Sequence, residues 1–217
     1  MIINWFGQSC FKIQGEKSIV VTDPFDKSCG LKVPRLAADI VTISHNFDDT
    51  DISSGVKGIT ENEPFVINGP GEYEIKQVFV YGIPSYSNNQ GDKEQKKSLL
   101  YRLEIDGISL AHLGNLDHVL ANGEIEKLEG VDILMIPVGG TYTINAKQAT
   151  EIISQLEPRI VIPMAYDTPG LKLKHKIDDI KVFCKEFGAC PREEIGKFKV
   201  TKKDLPQEDL KVIILQP

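Results

Sequence analysis

The sequence predicts a mixed α/β (α+β) fold of two packed β-sheets covered by helices, and three observations carry that prediction. The first half is a succession of short apolar or β-branched runs broken by turn residues. The second half alternates helical and extended patterns. Each strand-rich stretch has helices toward its end, as expected of sheets that pack face to face and carry helices outside.

The elements follow in chain order. Strands are predicted over 2–6, 10–13 and 18–22, separated by Gly7 and by the Gly15-Glu16 turn. A buried-type run over 40–44 stops at His45. Strands over 65–67 and 73–75 flank the turn Asn68-Gly69-Pro70-Gly71, and 78–83 follows. Strands over 99–105 and 108–113 are joined by Asp106-Gly107, a strong hairpin signal. A short helix over 123–128 precedes a strand over 133–138. The clearest helix runs over 145–156: Asn145 and Gln148 have capping-box spacing, and Ala149, Ile152, Ile153 and Leu156 share one face. Pro158 ends it, before a strand over 160–162. A second amphipathic helix over 177–187 stops before Gly188, and 212–215 is a last strand. The polar segment 87–97 reads as a mobile loop rather than a linker, because strands continue on both sides. The expectation is one domain over 1–217.

Composition narrows the function. Of 217 residues, 41% are apolar and 26% charged, which is ordinary for a soluble globular chain. The net charge of -6 argues against nucleic acid or an anionic membrane as partner, since both favour a basic face. No apolar run approaches the roughly 20 residues of a spanning helix. The start, Met1-Ile2-Ile3-Asn4-Trp5, lacks the pattern of a signal peptide. A cytoplasmic location is expected, and Cys10, Cys29, Cys184 and Cys190 are expected as free thiols.

Several phrases, in order, carry a family resemblance. They are Trp5-Phe6-Gly7-Gln8-Ser9-Cys10-Phe11, Thr22-Asp23-Pro24-Phe25, and Ala38-Asp39-Ile40-Val41-Thr42-Ile43-Ser44-His45 leading into an acidic loop. Gly69-Pro70-Gly71-Glu72-Tyr73, His112-Leu113-Gly114-Asn115-Leu116, Ile136-Pro137-Val138-Gly139-Gly140-Thr141-Tyr142-Thr143 and Ile162-Pro163-Met164-Ala165-Tyr166 follow. From about residue 2 to 168 the chain resembles the compact metallo-β-lactamase-fold hydrolases, in the branch of L-ascorbate-phosphate lactonase-like proteins. The resemblance implies an αββα four-layer sandwich with one or two metal ions in a cleft at the sheet edges. It also implies a metal-bound hydroxide that attacks an ester, lactone, amide or phosphodiester.

The metal positions the resemblance implies are mostly vacated. The family motif H-x-H-x-D-H falls on His45-Asn46-Phe47-Asp48-Asp49-Thr50, so Phe47 and Thr50 stand at histidine positions. Ser87 stands at the next histidine, Asn115 at the bridging aspartate, and Ala165 at the last histidine. Gln8 replaces a residue that is often histidine in relatives. Only His45 and Asp49 keep their type. A zinc site needs three or four N, S or O ligands, so the family mechanism is not expected to operate here.

Each remaining group has a plainer reading. His45 at a strand end is read as a hydrogen-bonding residue. Asp48, Asp49, Thr50 and Asp51 are read as the cap and start of a short helix or turn, the sharper reading being a weak single site for Ca²⁺ or Mg²⁺. Asp23 is read as an acceptor for loop backbone, His112 and His118 as structural and not both in the cleft, and His175 as surface. The Gly139-Gly140-Thr141-Tyr142 phrase is read as a tight loop rather than an anion nest. No cofactor is expected.

Three functions compete: a non-catalytic member that acts by binding or assembly, a divergent metal-dependent or metal-free hydrolase, and a small-molecule sensor. The first is preferred. Its partner is an unidentified small molecule or protein, and homo-oligomerisation is open.

Overall fold

The computed structural model describes residues 1–45, 55–86, 97–191 and 193–217. Expectations for Phe47, Asp48, Asp49, Thr50, Asp51 and Ser87, and for the polar loop up to residue 96, lie outside the described residues.

Strands β1 (Ile2–Trp5), β2 (Phe11–Gln14) and β3 (Ile19–Thr22) form an antiparallel meander. After β4 (Leu36–Ala38), β5 (Ile40–Thr42) runs parallel to β3. Strand β6 (Val56–Gly58) pairs with β4 in a separate ribbon, and β7 (Phe65–Ile67) lies parallel to β5. The chain then enters a second sheet through the antiparallel strands β8 (Gly71–Ile75), β9 (Val78–Tyr86), β10 (Lys97–Ile105) and β11 (Ile108–His112). Helix α1 (Asn122–Leu128) leads to β12 (Ile133–Pro137), and helix α2 (Ala146–Leu156) crosses to β13 (Ile160–Met164), both strands parallel to β11. Helix α3 (Ile180–Phe187) follows. Strand β14 (Phe198–Lys199) returns to the first sheet beside β1, and β15 (Lys211–Val212) joins the second beside β13.

Local chemistry explains these elements. Asp106 and Gly107 both have positive φ, 53° and 74°, the backbone that a tight two-residue hairpin requires. Asn145 Oδ1 accepts from the Gln148 N–H, and Gln148 Oε1 accepts from the Asn145 N–H, each at 3.0 Å, so the capping box forms as its spacing predicts. Every residue of β12 and β13 is buried, as in parallel strands covered on both faces. Helix α2 packs against β12 and against α1 and α3.

Between the sheets, Ile3, Trp5, Phe11, Ile13, Val20, Ile40 and Ile67 meet Val80, Leu99, Tyr101, Leu103 and Leu110 in one apolar core. Tyr101 ties the layers together. From β10 its hydroxyl reaches the carbonyls of Ile43 at 2.7 Å and Ile67 at 2.8 Å, and burial pushes its pKa up. The outer face of the first sheet carries Val21 and Val41, which pack on Leu36, Ala38 and Val56 of the β4–β6 ribbon. Among the described residues no helix is long and apolar enough to cross a membrane.

Four expectations are corrected. The helix over 177–187 begins only at Ile180, because Asp179 caps it by accepting from the Lys181 N–H at 2.8 Å. The strand over 212–215 is Lys211–Val212, with Leu215 in an isolated bridge to Ile195. Strands β4, β6 and β14 were not foreseen, being two or three residues long and so without a measurable alternation. The cysteines are not all free: Cys184 and Cys190 form a disulfide, while Cys10 and Cys29 are thiols. Gly188, with φ 82°, turns the chain back at the end of α3 and brings the two Cα atoms to 5.4 Å.

Candidate functional site

The loops at the ends of β1, β5, β11, β12 and β13 converge on one cleft. Ligands of open α/β sheets bind at the carboxyl ends of parallel strands, and β5, β12 and β13 present such ends here. The cleft has a volume of about 540 Å³. Gln8, His45, Asn115 and Ala165 line it together with Lys97, Ser98, Asp117, Gly140, Tyr142, Thr143, Leu173 and Ile177.

The first loop is built for close approach. Gly7 has φ 101°, and a Cβ there would lie 2.5 Å from Leu31 Cδ1. Gln8 follows with φ 48°. Its carbonyl accepts from Trp5 Nε1–H at 2.8 Å and from the Ala165 N–H at 3.2 Å, which fastens this loop to the end of β13. Ala165 itself sits at φ 53°. A left-handed alanine is strained by roughly 1–2 kcal/mol, and such strain gathers at functional clefts.

Ser9, 2% exposed, donates through Oγ to Asn115 Oδ1 at 3.1 Å. Asn115 thereby has its amide orientation set, with the oxygen committed and Nδ2 left as a donor. Gly114 before it has φ 51°, and a Cβ there would meet Ser44 Oγ at 2.4 Å, so the loops bearing Asn115 and His45 touch.

Asp23, 5% exposed, is the anchor of the β5 loop. Its carboxylate accepts from the Ser44 N–H and from Ser44 Oγ–H, both at 2.6 Å. That hydroxyl has one proton and gives it to Asp23. The contact of Ser44 Oγ with His45 Nδ1, at 3.1 Å, therefore has His45 Nδ1–H as donor. In the neutral ring the lone pair then lies on Nε2. His45 is one-third exposed, with Nδ1 3.9 Å from Asp23 Oδ1.

None of the other histidines is among the residues that line the cleft. His112 is fully buried, and its Nε2 lies 2.9 Å from the Ser9 carbonyl, to which it donates. Desolvation pushes its pKa down. His118 bridges two carboxylates, with Nδ1 3.0 Å from Asp117 Oδ1 and Nε2 3.6 Å from Glu124 Oε1, and Ser85 Oγ lies 3.3 Å from Nε2. Hydrogen bonding to Glu124, opposed by desolvation and reinforced by Asp117, raises its pKa. His175 is exposed, and its backbone N–H donates to Tyr142 Oη at 2.9 Å. In the loop after β12, the N–H groups of Tyr142 and Thr143 both point at the Gly140 carbonyl, so they serve the turn itself.

The cleft's described donor set does not fit a two-metal centre. It offers one imidazole, His45. The Ala165 side chain has no donor atom, and Asn115 offers a neutral amide where a bridging carboxylate is needed. Among the described residues no three His, Cys, Asp or Glu side chains gather where they could hold a metal.

A second groove of about 500 Å³ holds Tyr81 and Arg102 on the second sheet. The two terminal nitrogens of the Arg102 guanidinium are engaged by the Lys127 and Glu129 carbonyls at the end of α1 and by Glu104. The cleft of His45 is the better candidate.

Sequence reasoning did not single out Lys97, Ser98, Asp117, Leu173 or Ile177. Leu173 was legible only as an apolar residue in the basic run Lys172-Leu173-Lys174-His175-Lys176, and Ile177 only as the expected start of the helix over 177–187.

Comparison with known proteins follows the same boundaries. A family model for the beta-lactamase superfamily domain matches residues 2–165. A metal-dependent hydrolase of Thermococcus onnurineus is 27% identical over 190 residues, covering 76% of this chain and 84% of that relative. A solved structure from Thermotoga maritima, of the metallo-beta-lactamase superfamily, is 32% identical, covers 99% of both chains and superposes with a TM-score of 0.79. A metallo hydrolase of Ignicoccus hospitalis, 20% identical, covers 86% of this chain and 90% of its own with a TM-score of 0.60, which is a likeness of fold.

Proposed function

The chain belongs to the beta-lactamase superfamily, and we propose that within this family of metal-dependent hydrolases it serves as a binding protein rather than a hydrolase. The observation that carries the reading is Ala165. Its backbone lies in the left-handed region at the end of β13 and its side chain lines the cleft, yet it offers no donor atom. Asn115 supports the same reading: the carboxylate that would bridge two cations is an amide held by Ser9. In the sequence, Phe47, Thr50 and Ser87 stand where further ligands are expected.

Metal analysis of protein purified without chelator, run beside a panel of lactones, esters and phosphodiesters, tests the proposal. The expected result is substoichiometric transition metal and no turnover. A stoichiometric metal with turnover overturns it.

The Asp23–Ser44–His45 chain favours a second reading, a metal-free acid–base site with His45 Nε2 as base. Activity that disappears in His45→Ala and persists in chelator supports this reading. Activity that survives the substitution excludes it.

A further inference from the structure

We infer that the cleft binds, without a metal, a small molecule that carries both an oxyanion and a hydroxyl group. The inference deepens the binding reading above and rests on it. Three features of the lining point to this chemistry.

The first is a matched donor and acceptor. Ser9 holds the oxygen end of Asn115, so Nδ2 is left as a donor with no partner among the described residues. Ser44 holds the Nδ1–H of His45, so the neutral ring presents its Nε2 lone pair as an acceptor. The Gly114–Ser44 approach puts the two loops in contact. A hydroxyl can accept from one group and donate to the other, which a bare carbonyl or a bare anion cannot do.

The second feature is charge. Lys97, exposed at the start of β10, lines the cleft. The apolar wall made by Leu173 and Ile177 belongs to a segment with exposed Lys172, Lys174 and Lys176. Lys97 is the one cation among the described lining residues, and Asp178, beside Gly140, is an anion just outside that lining. Asp117 is the one carboxylate among the described lining residues, and it is turned to His118 Nδ1 at 3.0 Å.

The third is size. A volume of about 540 Å³ sits inside the range of roughly 300–1,000 Å³ usual for small-molecule sites.

Phosphate and carboxylate share the oxyanion chemistry, and the titration separates them. The full-length chain is titrated calorimetrically in EDTA with glycerol 3-phosphate and with glycerate, which carry both functions. Glycerol and inorganic sulfate, which carry one each, are titrated in parallel. At least one two-function probe is expected to bind about tenfold or more tightly than either single-function probe. The probe that binds identifies the anion. Lys97→Glu, at an exposed position, is expected to weaken that binding by about tenfold or more without shifting the melting temperature. Ser44→Ala is expected to weaken it too, and to remove the single Nδ1–H tautomer of His45 from the imidazole ¹⁵N spectrum.

Equal affinity for all four probes, or an unchanged affinity in Lys97→Glu, overturns this inference and leaves the non-catalytic reading standing. Binding that requires added zinc and vanishes in EDTA overturns both.

Discussion

Asn115 Oδ1, on the loop after β11, accepts a hydrogen bond at 3.1 Å from Ser9 Oγ, on the loop after β1, so a side-chain contact joins the two sheets at the cleft. The contact predicts an asymmetry between two substitutions. Asn115→Asp keeps an oxygen for Ser9, and its stability is expected to stay within about 1 kcal/mol of the parent. Asn115→Leu leaves the nearly buried Ser9 hydroxyl without this acceptor and is expected to cost about 1–3 kcal/mol. Urea denaturation of the three proteins checks the order. Equal losses for both variants show that the Ser9 bond contributes nothing.

The His118 clasp is expected to contribute most to stability in mildly acidic solution. His118 has a pKa raised above its ordinary 6.5, first by Glu124 and then by Asp117, against desolvation. Its contribution is fully present below pH 6.5 and is lost as pH rises through the folded value. Glu124 is desolvated, which opposes ionisation, yet hydrogen bonds from His118, Ser85 and the Ala121 N–H hold its pKa below the ordinary 4.5. Its contribution is present above pH 4.5 and is lost as pH falls through that lowered value. The pair therefore contributes most between pH 4.5 and 6.5. Melting temperatures of parent and His118→Gln across pH 4–9 check this. The difference between them is expected to shrink as pH rises above 6.5, and a difference independent of pH contradicts the assignment.

The sequence and the structure agree where local chemistry decides the outcome. The Asp106-Gly107 hairpin and the Asn145–Gln148 cap are two- and four-residue devices whose geometry follows from residue type alone. Gln8, His45, Asn115 and Ala165 line one cleft, each on a loop directly after a strand end. The lining by Lys97, Leu173 and Ile177 depends on long-range folding that brings chain segments outside those loops against the strand ends, and no short pattern encodes it. The Cys184–Cys190 disulfide was missed for a related reason. Its closure depends on the left-handed turn at Gly188, which the sequence marks as a helix stop but not as a reversal that points two side chains at each other.

That disulfide predicts a thiol count. Cys29 is partly exposed, whereas Cys10 is fully buried and burial drives its pKa up, so the reactive thiolate is suppressed. One fast-reacting thiol is expected in the native chain, two after denaturation without reductant, and four after reduction. Four thiols in the unreduced, denatured chain would show that Cys184 and Cys190 are not joined.

Ala165 gives the sharpest test of what the cleft was shaped for. At φ 53° an alanine is strained, and glycine is not. Ala165→Gly is therefore expected to raise stability by up to about 1 kcal/mol, the relief of strain being partly offset by the greater freedom of glycine in the unfolded chain. The converse holds one loop away: a Cβ on Gly139 would lie 2.1 Å from the Ala165 carbonyl oxygen, so Gly139→Ala is expected to destabilise strongly. Histidine tolerates the left-handed region better than most residues, so Ala165→His is expected to fold and to place an imidazole beside His45. Combined with Asn115→Asp it restores two donors of the kinds a zinc site uses. Competition against a chromophoric chelator measures the result. The double variant is expected to bind zinc more tightly than the parent, and a parent that binds as tightly shows that its own donor set already holds the metal.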